Sequence, residues 1–596
     1  MKQIPLITSL IHYFKVLYSY AGKKLYVLIF LFLLGGLSEG FGISMLLPVL
    51  NVEKPEDAKG SYTQTIYHFL ESSGIGVSLT SLLALLLIAF LLKGTFLFLQ
   101  KWLSAYIRFN LIKNMRIGFC RKYEAMKYGY YTDVSIGYLN NIITTEIDTA
   151  VAALNRYTVV IGSIVFILIY ISFAVVINYK MTLMVLVICL FMFAMLRGLS
   201  RVSRKVSILV SETNAQVQSL LIQTIYNFKY MKATDSFNHI FKQLFKKIER
   251  NYHLQFKNGI LLAIPSSIIE PISVLFLTGL ILYYVGYHGK SIAEIMILLL
   301  FFYKAFSRVF SFQSDWQKFN AGLGGLEVIK KASKVLSDNI EISGTCSVKS
   351  FERAIELKDL NFSYNSKQVL FNINMVIPKN RSVGIVGESG AGKTTLFDIL
   401  TALLIPRAGS ICIDGIDYRE LDISSLRDNI GYVMQEPVIF NDTIANNISF
   451  WECDNRDDFC KKRIKKAAEL SNCVRFIEDA VNGYETIIGD KGVKLSGGQR
   501  QRIAIARELF KEPEIMIFDE ATSSLDTESE ALIQKSIKSM MGKRTIIIIA
   551  HRLSTIRNCD YIYVLNNGRI IEEGSFGELY SSENSLFSKM CHAQNL

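Results

Sequence analysis

Six apolar runs recur through the first 312 positions of this 596-residue chain, and they constrain its fold more than any other feature. A helix that crosses a bilayer takes roughly 20 mainly apolar residues, because in hydrocarbon every backbone N–H and C=O must be satisfied within the protein. The runs cover 25–50, 79–99, 159–177, 181–196, 260–285 and 292–312. Only Asn178, Tyr179 and Lys180 separate the third from the fourth, which predicts a tight helical hairpin. Pro265 and Pro271 in the fifth predict a kink or freed carbonyls.

Charge orients these runs. Lys101, Arg108, Lys113, Arg116, Arg121, Lys122 and Lys127 lie between the second and third; Arg197, Arg201, Arg204, Lys205, Lys242, Lys246, Lys247 and Arg250 lie between the fourth and fifth. Basic loops stay on the cytoplasmic side, so an even number of spans places both termini and everything after residue 312 in the cytoplasm. The first run is too long for a signal peptide and should remain as a membrane helix. Few Gly or Pro interrupt the two basic segments, so the membrane helices should extend well below the bilayer. The net charge of +13 is spread along these segments rather than gathered in a recognition motif, which argues against nucleic acid and for proximity to an anionic leaflet. The nine cysteines show no metal-ligand spacing and are expected as free thiols.

A membrane domain over 1–325, a polar linker over 326–353 and a soluble domain of alternating strands and helices over 354–596 follow from the change in pattern. The expected fold is an all-α six-helix membrane domain joined to an α/β P-loop ATPase. An apolar strand from Val383 runs into Gly387-Glu388-Ser389-Gly390-Ala391-Gly392-Lys393-Thr394-Thr395 and then an apolar helix. That is a P-loop in its strand–loop–helix setting: glycines let amides curl around phosphates, Lys393 neutralises their charge, and Thr394 ligates Mg²⁺. A second apolar strand ends in Asp519 and Glu520. Asp519 is placed to hold Mg²⁺ through water, and Glu520 to orient or deprotonate the attacking water. ATP and Mg²⁺ are the expected cofactors.

Between the two lies Leu495-Ser496-Gly497-Gly498-Gln499, which resembles the signature sequence of ABC ATPases. Other motifs of that family match in order. Tyr364 resembles the aromatic that stacks on adenine, Gln435 the Q-loop glutamine that reaches Mg²⁺ and the attacking water, Asp526 (after Ser523, Ser524 and Leu525) the D-loop, and His551 the switch histidine at the γ-phosphate. In the family the signature of one subunit faces the phosphate held by another, and because the consensus residues are kept throughout, the resemblance implies a homodimer with two competent sites. Asp490 stands where Glu is more usual in the loop before the signature.

A membrane domain followed by an ATPase on one chain resembles the half-transporter exporters, which include lipid flippases, multidrug pumps and peptide exporters. In the first run, Glu39 followed by Pro48 resembles bacterial lipid-linked oligosaccharide flippases and related glycoconjugate exporters. An amphipathic stretch over 65–72 would lie on the outer membrane surface or form a solvated turn. Loop tips at 130–138 and 221–230, rich in aromatics, are expected to transmit motion to the ATPase. Glu39, Lys93, Glu270, Lys304 and Arg308 are ionisable at membrane depth. Either they line a cavity that attracts an anionic headgroup, or the cations pair with Glu39 or Glu270 or snorkel to the interface. The implied function is ATP-driven movement of a lipid-linked oligosaccharide or other glycolipid from the inner to the outer side of a bacterial inner membrane; lipid A or phospholipid, drugs and peptides are the alternatives. A non-transporting regulator is disfavoured by the complete catalytic set.

Overall fold

The computed structural model describes residues 6–50, 67–68, 71–72, 74, 76–288, 292–364, 367–520, 526–550, 552–582 and 585–594. The chain divides into two compact units, 1–126 with 130–340, and 127–129 with 341–596.

The first unit is built from long helices: Lys24–Ser44, Leu79–Glu124, Ile147–Tyr226, Phe237–His288 and Ile292–Asp338. The 46 residues of Leu79–Glu124 would span about 69 Å at 1.5 Å per residue, more than twice the hydrocarbon thickness. Three helical segments, Lys24–Ser44, Leu79–Glu124 and Ile136–Ile177, are long and apolar enough to cross a membrane among the described residues. The helix Phe237–His288 stays helical through Pro265 and Pro271, and Ile292–Asp338 continues past position 326, where the sequence suggests that a linker begins.

The backbone remains helical across Asn178-Tyr179-Lys180. A straight helix would place Glu146 and Ser211 about 98 Å apart. Instead the Ser211 hydroxyl donates to Glu146 at 2.6 and 2.7 Å, Asn214 to Asn141 at 3.3 Å, and Gln218 to Thr145 at 3.1 Å. Partners that meet at such separations require the chain to reverse halfway between them, close to 178–181. The hairpin is therefore present, with helical hydrogen bonding maintained through its turn. Its first arm, with Leu79–Glu124 and Ile292–Asp338, encloses a core containing Leu111, Phe119, Val151, Tyr157, Trp316 and Phe319. Of the loop tips, Tyr226, Phe228 and Tyr230 are exposed, whereas Tyr130 and Tyr138 pack against this core. Of the 65–72 stretch, residues 65, 66, 69 and 70 lie outside the described residues, and Tyr67 donates to the Pro48 carbonyl at 3.1 Å.

The second unit carries two sheets. Strands β1 (Ala354–Tyr364), β2 (Lys367–Pro378), β4 (Ala408–Ile413) and β5 (Ile416–Asp417) pair antiparallel in the order β2-β1-β4-β5. Strands β3 (Ser382–Gly387), β6 (Ile430–Val433), β7 (Ile515–Asp519), β8 (Thr545–Ile549), β9 (Tyr561–Asn566) and β10 (Arg569–Gly574) form the other in the order β10-β9-β3-β8-β7-β6. All six residues of β3 are buried, as a strand covered on both faces requires. Because β3, β8, β7 and β6 run parallel, the loops after β3 and β7 leave the same edge of the sheet, where open α/β sheets place their ligands.

One expectation for the cysteines is corrected. Cys453 and Cys460 are joined in a disulfide across seven positions, with Cα atoms 6.1 Å apart. The turn before the Asp458–Leu470 helix folds Cys453 back onto that helix's first turn, a local geometry that spacing between cysteines does not reveal. Cys120, Cys346, Cys412, Cys473, Cys559 and Cys591 are free thiols.

Candidate functional site

The loop after β3 turns through two left-handed glycines, Gly390 at φ +83° and Gly392 at φ +100°, and leads directly into the helix Lys393–Leu400. Gly387 packs so closely on β9 that a Cβ there would lie 2.1 Å from the Leu565 carbonyl oxygen, so a side chain would force the loop off the sheet. Within the ring the buried Lys393 ammonium donates to the carbonyls of Gly387 at 2.8 Å and Glu388 at 3.0 Å. Burial lowers its pKa, opposed by the nearby Glu520 and Asp519 carboxylates. A cation so placed, amid amides at a helix N-terminus, is suited to a polyphosphate.

At the end of β7 the backbone turns at Glu520, which has φ +45°. A left-handed non-glycine residue at a strand end is uncommon and here aims the carboxylate out of the sheet. Its amide donates to the Ile549 carbonyl at 2.9 Å, fixing the turn against β8. Gln435, on the segment after β6, donates from Nε2 to Glu520 Oε2 at 2.7 Å. Two residues 85 positions apart thus form one polar pair beside the P-loop. Thr394, Asp519 and Gln435 offer hydroxyl, carboxylate and amide oxygens, a hard donor set that suits Mg²⁺ bound partly through water and phosphate.

The helix Gly497–Phe510 begins with Ser496 as N-cap: its hydroxyl accepts from the Gln499 amide at 3.2 Å, and Gln499 Oε1 accepts from the Ser496 amide at 2.9 Å. Asp526 caps the helix Thr527–Met540 by accepting from the Ser529 amide at 2.9 Å. The two helix starts meet where Gly498 faces Ser529; a Cβ on Gly498 would fall 2.4 Å from Ser529 Cβ.

Tyr364 is exposed at the end of β1, its ring edge-on to Phe362. His551 lies outside the described residues, as do Ser523, Ser524 and Leu525. The structure thus draws Gly387, Ser389, Gly390, Gly392, Lys393, Thr394, Thr395, Gln435, Asp519 and Glu520 to one sheet edge, while Ser496, Gly497, Gly498, Gln499 and Asp526 form a second cluster at two helix starts.

Sequence reasoning missed three residues. Asp398, on the P-loop helix, is buried, and burial with the neighbouring Asp519 raises its carboxyl to about 6; an acid in that apolar helix was the available signal. Arg507, buried near the end of the signature helix, donates to the carbonyls of Val438 and Asn447 at 2.7 Å each and ties that helix to the segment after Gln435. Ser529 had no sequence signal.

In the membrane unit, Lys93 and Lys304 both reach Glu39 Oε1, each at 3.0 Å. Glu39 is 2% exposed. Arg308 does not join the pair; its guanidinium lies over the Phe166 ring, 4.1 Å from the centroid. For Lys93 and Lys304 the pairing alternative is therefore the observed one, because three helices converge at Glu39. The Glu270 side chain lies outside the described residues.

Two family models match the chain: "ABC transporter transmembrane region" over residues 25–314 and "ABC transporter" over residues 370–523. The heterocyst differentiation ATP-binding protein HepA of Nostoc sp. is 31% identical over 513 residues, 84% of this chain and 82% of its own. The ATP-dependent lipid A-core flippase of Syntrophus aciditrophicus is 31% identical over 523 residues, 85% of this chain and 84% of its own. Among solved structures, a bacterial Atm1-family ABC exporter with ATP bound aligns with a TM-score of 0.78 at 22% identity, covering 96% of this chain and 99% of the other.

Proposed function

We propose, from the premise that this chain belongs to the ABC transporter family as an exporter-type half-transporter with a transmembrane and an ATP-binding domain, that it flips an amphipathic glycolipid, a lipid-linked oligosaccharide first, from the inner to the outer leaflet of a bacterial inner membrane. ATP hydrolysis coupled to transport belongs to the family; the cargo, the residue roles and the assembly are the proposal.

In this reading Lys393 and the amides after Gly387 bind the β- and γ-phosphates, Tyr364 stacks on the adenine, and Thr394, Gln435 and Asp519 hold Mg²⁺, which offsets phosphate charge when bound. Gln435, 2.7 Å from Glu520, orients that carboxylate so that it accepts a proton from the attacking water. His551 contacts the γ-phosphate. Ser496, Gly497, Gly498, Gln499 and Asp526 serve the nucleotide held by a second copy of the chain, so the working unit is a homodimer with its ATPase domains and termini in the cytoplasm, the side favoured by the basic segments.

The observation that carries the cargo assignment is the cluster at Glu39, where two lysines share one carboxylate and Arg308 stands nearby. An excess of positive charge at membrane depth is costly and is relieved by an anionic headgroup. The name of the Syntrophus relative favours a second reading, a lipid A-type glycolipid, which carries the same combination of sugar, phosphate and acyl chains. The experiment is ATPase stimulation in nanodiscs by a purified lipid-pyrophosphate oligosaccharide, beside lipid A, phospholipid and drug panels. Several-fold stimulation by the oligosaccharide lipid is expected; stimulation by lipid A alone selects the second reading, and stimulation by drugs alone removes both.

A further inference from the structure

Glu39 lies at membrane depth between two lysines, and its contacts are unusual for a structural ion pair. It lies 15 residues along Lys24–Ser44, Lys93 lies 14 along Leu79–Glu124, and Lys304 lies 12 along Ile292–Asp338. At 1.5 Å per residue each is about 20 Å from the start of its helix, inside a hydrocarbon layer of roughly 30 Å. Both ammonium groups bond the same oxygen, Oε1. The other oxygen, Oε2, is buried and completes no hydrogen bond, and neither does the hydroxyl of Tyr170, which is itself fully buried and faces Glu39 and Arg308. Buried polar atoms of this kind are seldom left unsatisfied, because each costs about 1–3 kcal/mol.

The helix that carries the carboxylate is closely packed, while the two cations keep part of their side chains exposed. Gly36 and Gly40 bring the Glu39 helix against Ile147–Tyr226 so closely that a Cβ would lie 2.5 Å from Ile169 Cδ1 and 2.4 Å from the Phe173 ring. Lys93 and Lys304 keep 26% and 39% of their side chains exposed. Long lysine stems can swing their charge to a new partner without moving a helix.

We infer that Glu39 is an internal counter-ion that occupies the Lys93–Lys304 pair until a phosphate of the cargo replaces it, with the Tyr170 hydroxyl donating to the incoming phosphate. This deepens the glycolipid reading and rests on it: the class of lipid accepted is one with a phosphate monoester or a pyrophosphate at the headgroup. In the empty protein the two lysines are held by one carboxylate oxygen. A phosphate offers three or more acceptor oxygens and more charge, so it satisfies both ammonium groups and the hydroxyl together. A neutral headgroup can do neither, and Glu39 keeps its lysines.

The test is direct binding of a polyprenyl phosphate to the full-length protein in nanodiscs, with the neutral polyprenol as control and glycolipid-stimulated ATPase measured in parallel. Glu39→Gln removes the competing charge and is expected to tighten phosphate binding roughly tenfold or more, since charged hydrogen bonds no longer have to be broken first, and to leave polyprenol binding unchanged. Tyr170→Phe removes a hydroxyl whose contact with Glu39 and Arg308 falls short of a well-formed hydrogen bond, so it should melt close to the parent yet bind phosphate several-fold more weakly. Glu39→Gln protein that is folded and binds phosphate no tighter than the parent overturns the counter-ion role, and so does a Tyr170→Phe protein that binds phosphate at full strength. A parent that holds phosphate no better than polyprenol overturns the anion seat itself, and the parallel ATPase measurement then judges the glycolipid reading on its own.

Discussion

Glu520 shows how residue-scale chemistry here combines sequence and fold. That an acid follows Asp519 at a strand end was legible in the sequence, because an apolar strand ending in two carboxylates has little structural use. Its pairing with Gln435 was not, since the two are 85 positions apart and meet only once β6 and β7 lie side by side. Glu520→Gln should therefore lower ATP turnover by about 10²–10⁴-fold, the usual contribution of a general base, while ATP binding persists; phosphate release and nucleotide-binding assays on the same protein check it. The thiols give a second residue-scale prediction. Burial pushes Cys473 and Cys559 up to about 12, so at pH 8 both remain neutral thiols, the form that does not react with alkylating reagents. Native-state alkylation read by mass spectrometry should label the exposed Cys120 and Cys346 and spare Cys473 and Cys559 until the protein is denatured. Cys453 should become labelled only after reduction, since it is bonded to Cys460. Labelling of Cys473 at the rate of Cys346 would contradict the burial.

At the scale of elements, the positions of long helices and buried strands followed from hydrophobic pattern, and the turn near Asn178–Lys180 was readable from three polar residues between apolar runs. What pattern could not supply was which helices touch. Glu39, Lys93 and Lys304 were recognisable as membrane-depth charges, but their meeting on one oxygen depends on three helices packing at a common depth. Gly498 poses the same problem in the soluble unit: it reads as part of a phosphate-binding signature, yet it also lets the Gly497–Phe510 helix approach Ser529 on Thr527–Met540. A methyl group there would lie 2.4 Å from Ser529 Cβ, a contact that a rotamer change cannot relieve. Gly498→Ala should destabilise the ATPase unit by about 1–3 kcal/mol, as overpacking does, lowering the melting temperature along with turnover. Ser496→Ala, which deletes only the N-cap bond, should cost about 1 kcal/mol. A Gly498→Ala protein that melts at the parent's temperature would show that the close approach at Gly498 is not what glycine provides.

The whole molecule raises the question of where a complete catalytic site lies. Within one chain the P-loop with Gln435 and Glu520 forms one cluster, and Ser496 with Asp526 forms another at the starts of two helices; the homodimer reading completes each site by joining the first cluster of one copy to the second cluster of its partner. That arrangement makes a prediction no single-chain site can share. A homodimer of Lys393→Ala has two dead P-loops, and one of Ser496→Arg has two blocked signatures, so each alone should be inactive. In a mixed dimer one site receives both defects and the other receives neither, because the intact P-loop of the second chain faces the intact signature of the first. Random reassembly of equal amounts makes about half the dimers mixed, each with one of two sites intact under two-fold symmetry, which sets an expected recovery of up to about a quarter of parent turnover. If each chain used its own signature, every site in the mixture would carry a defect and activity would stay at zero. Turnover that reappears on mixing two inactive proteins, and vanishes when both substitutions are placed on the same chain, is therefore the outcome that the two-copy reading requires.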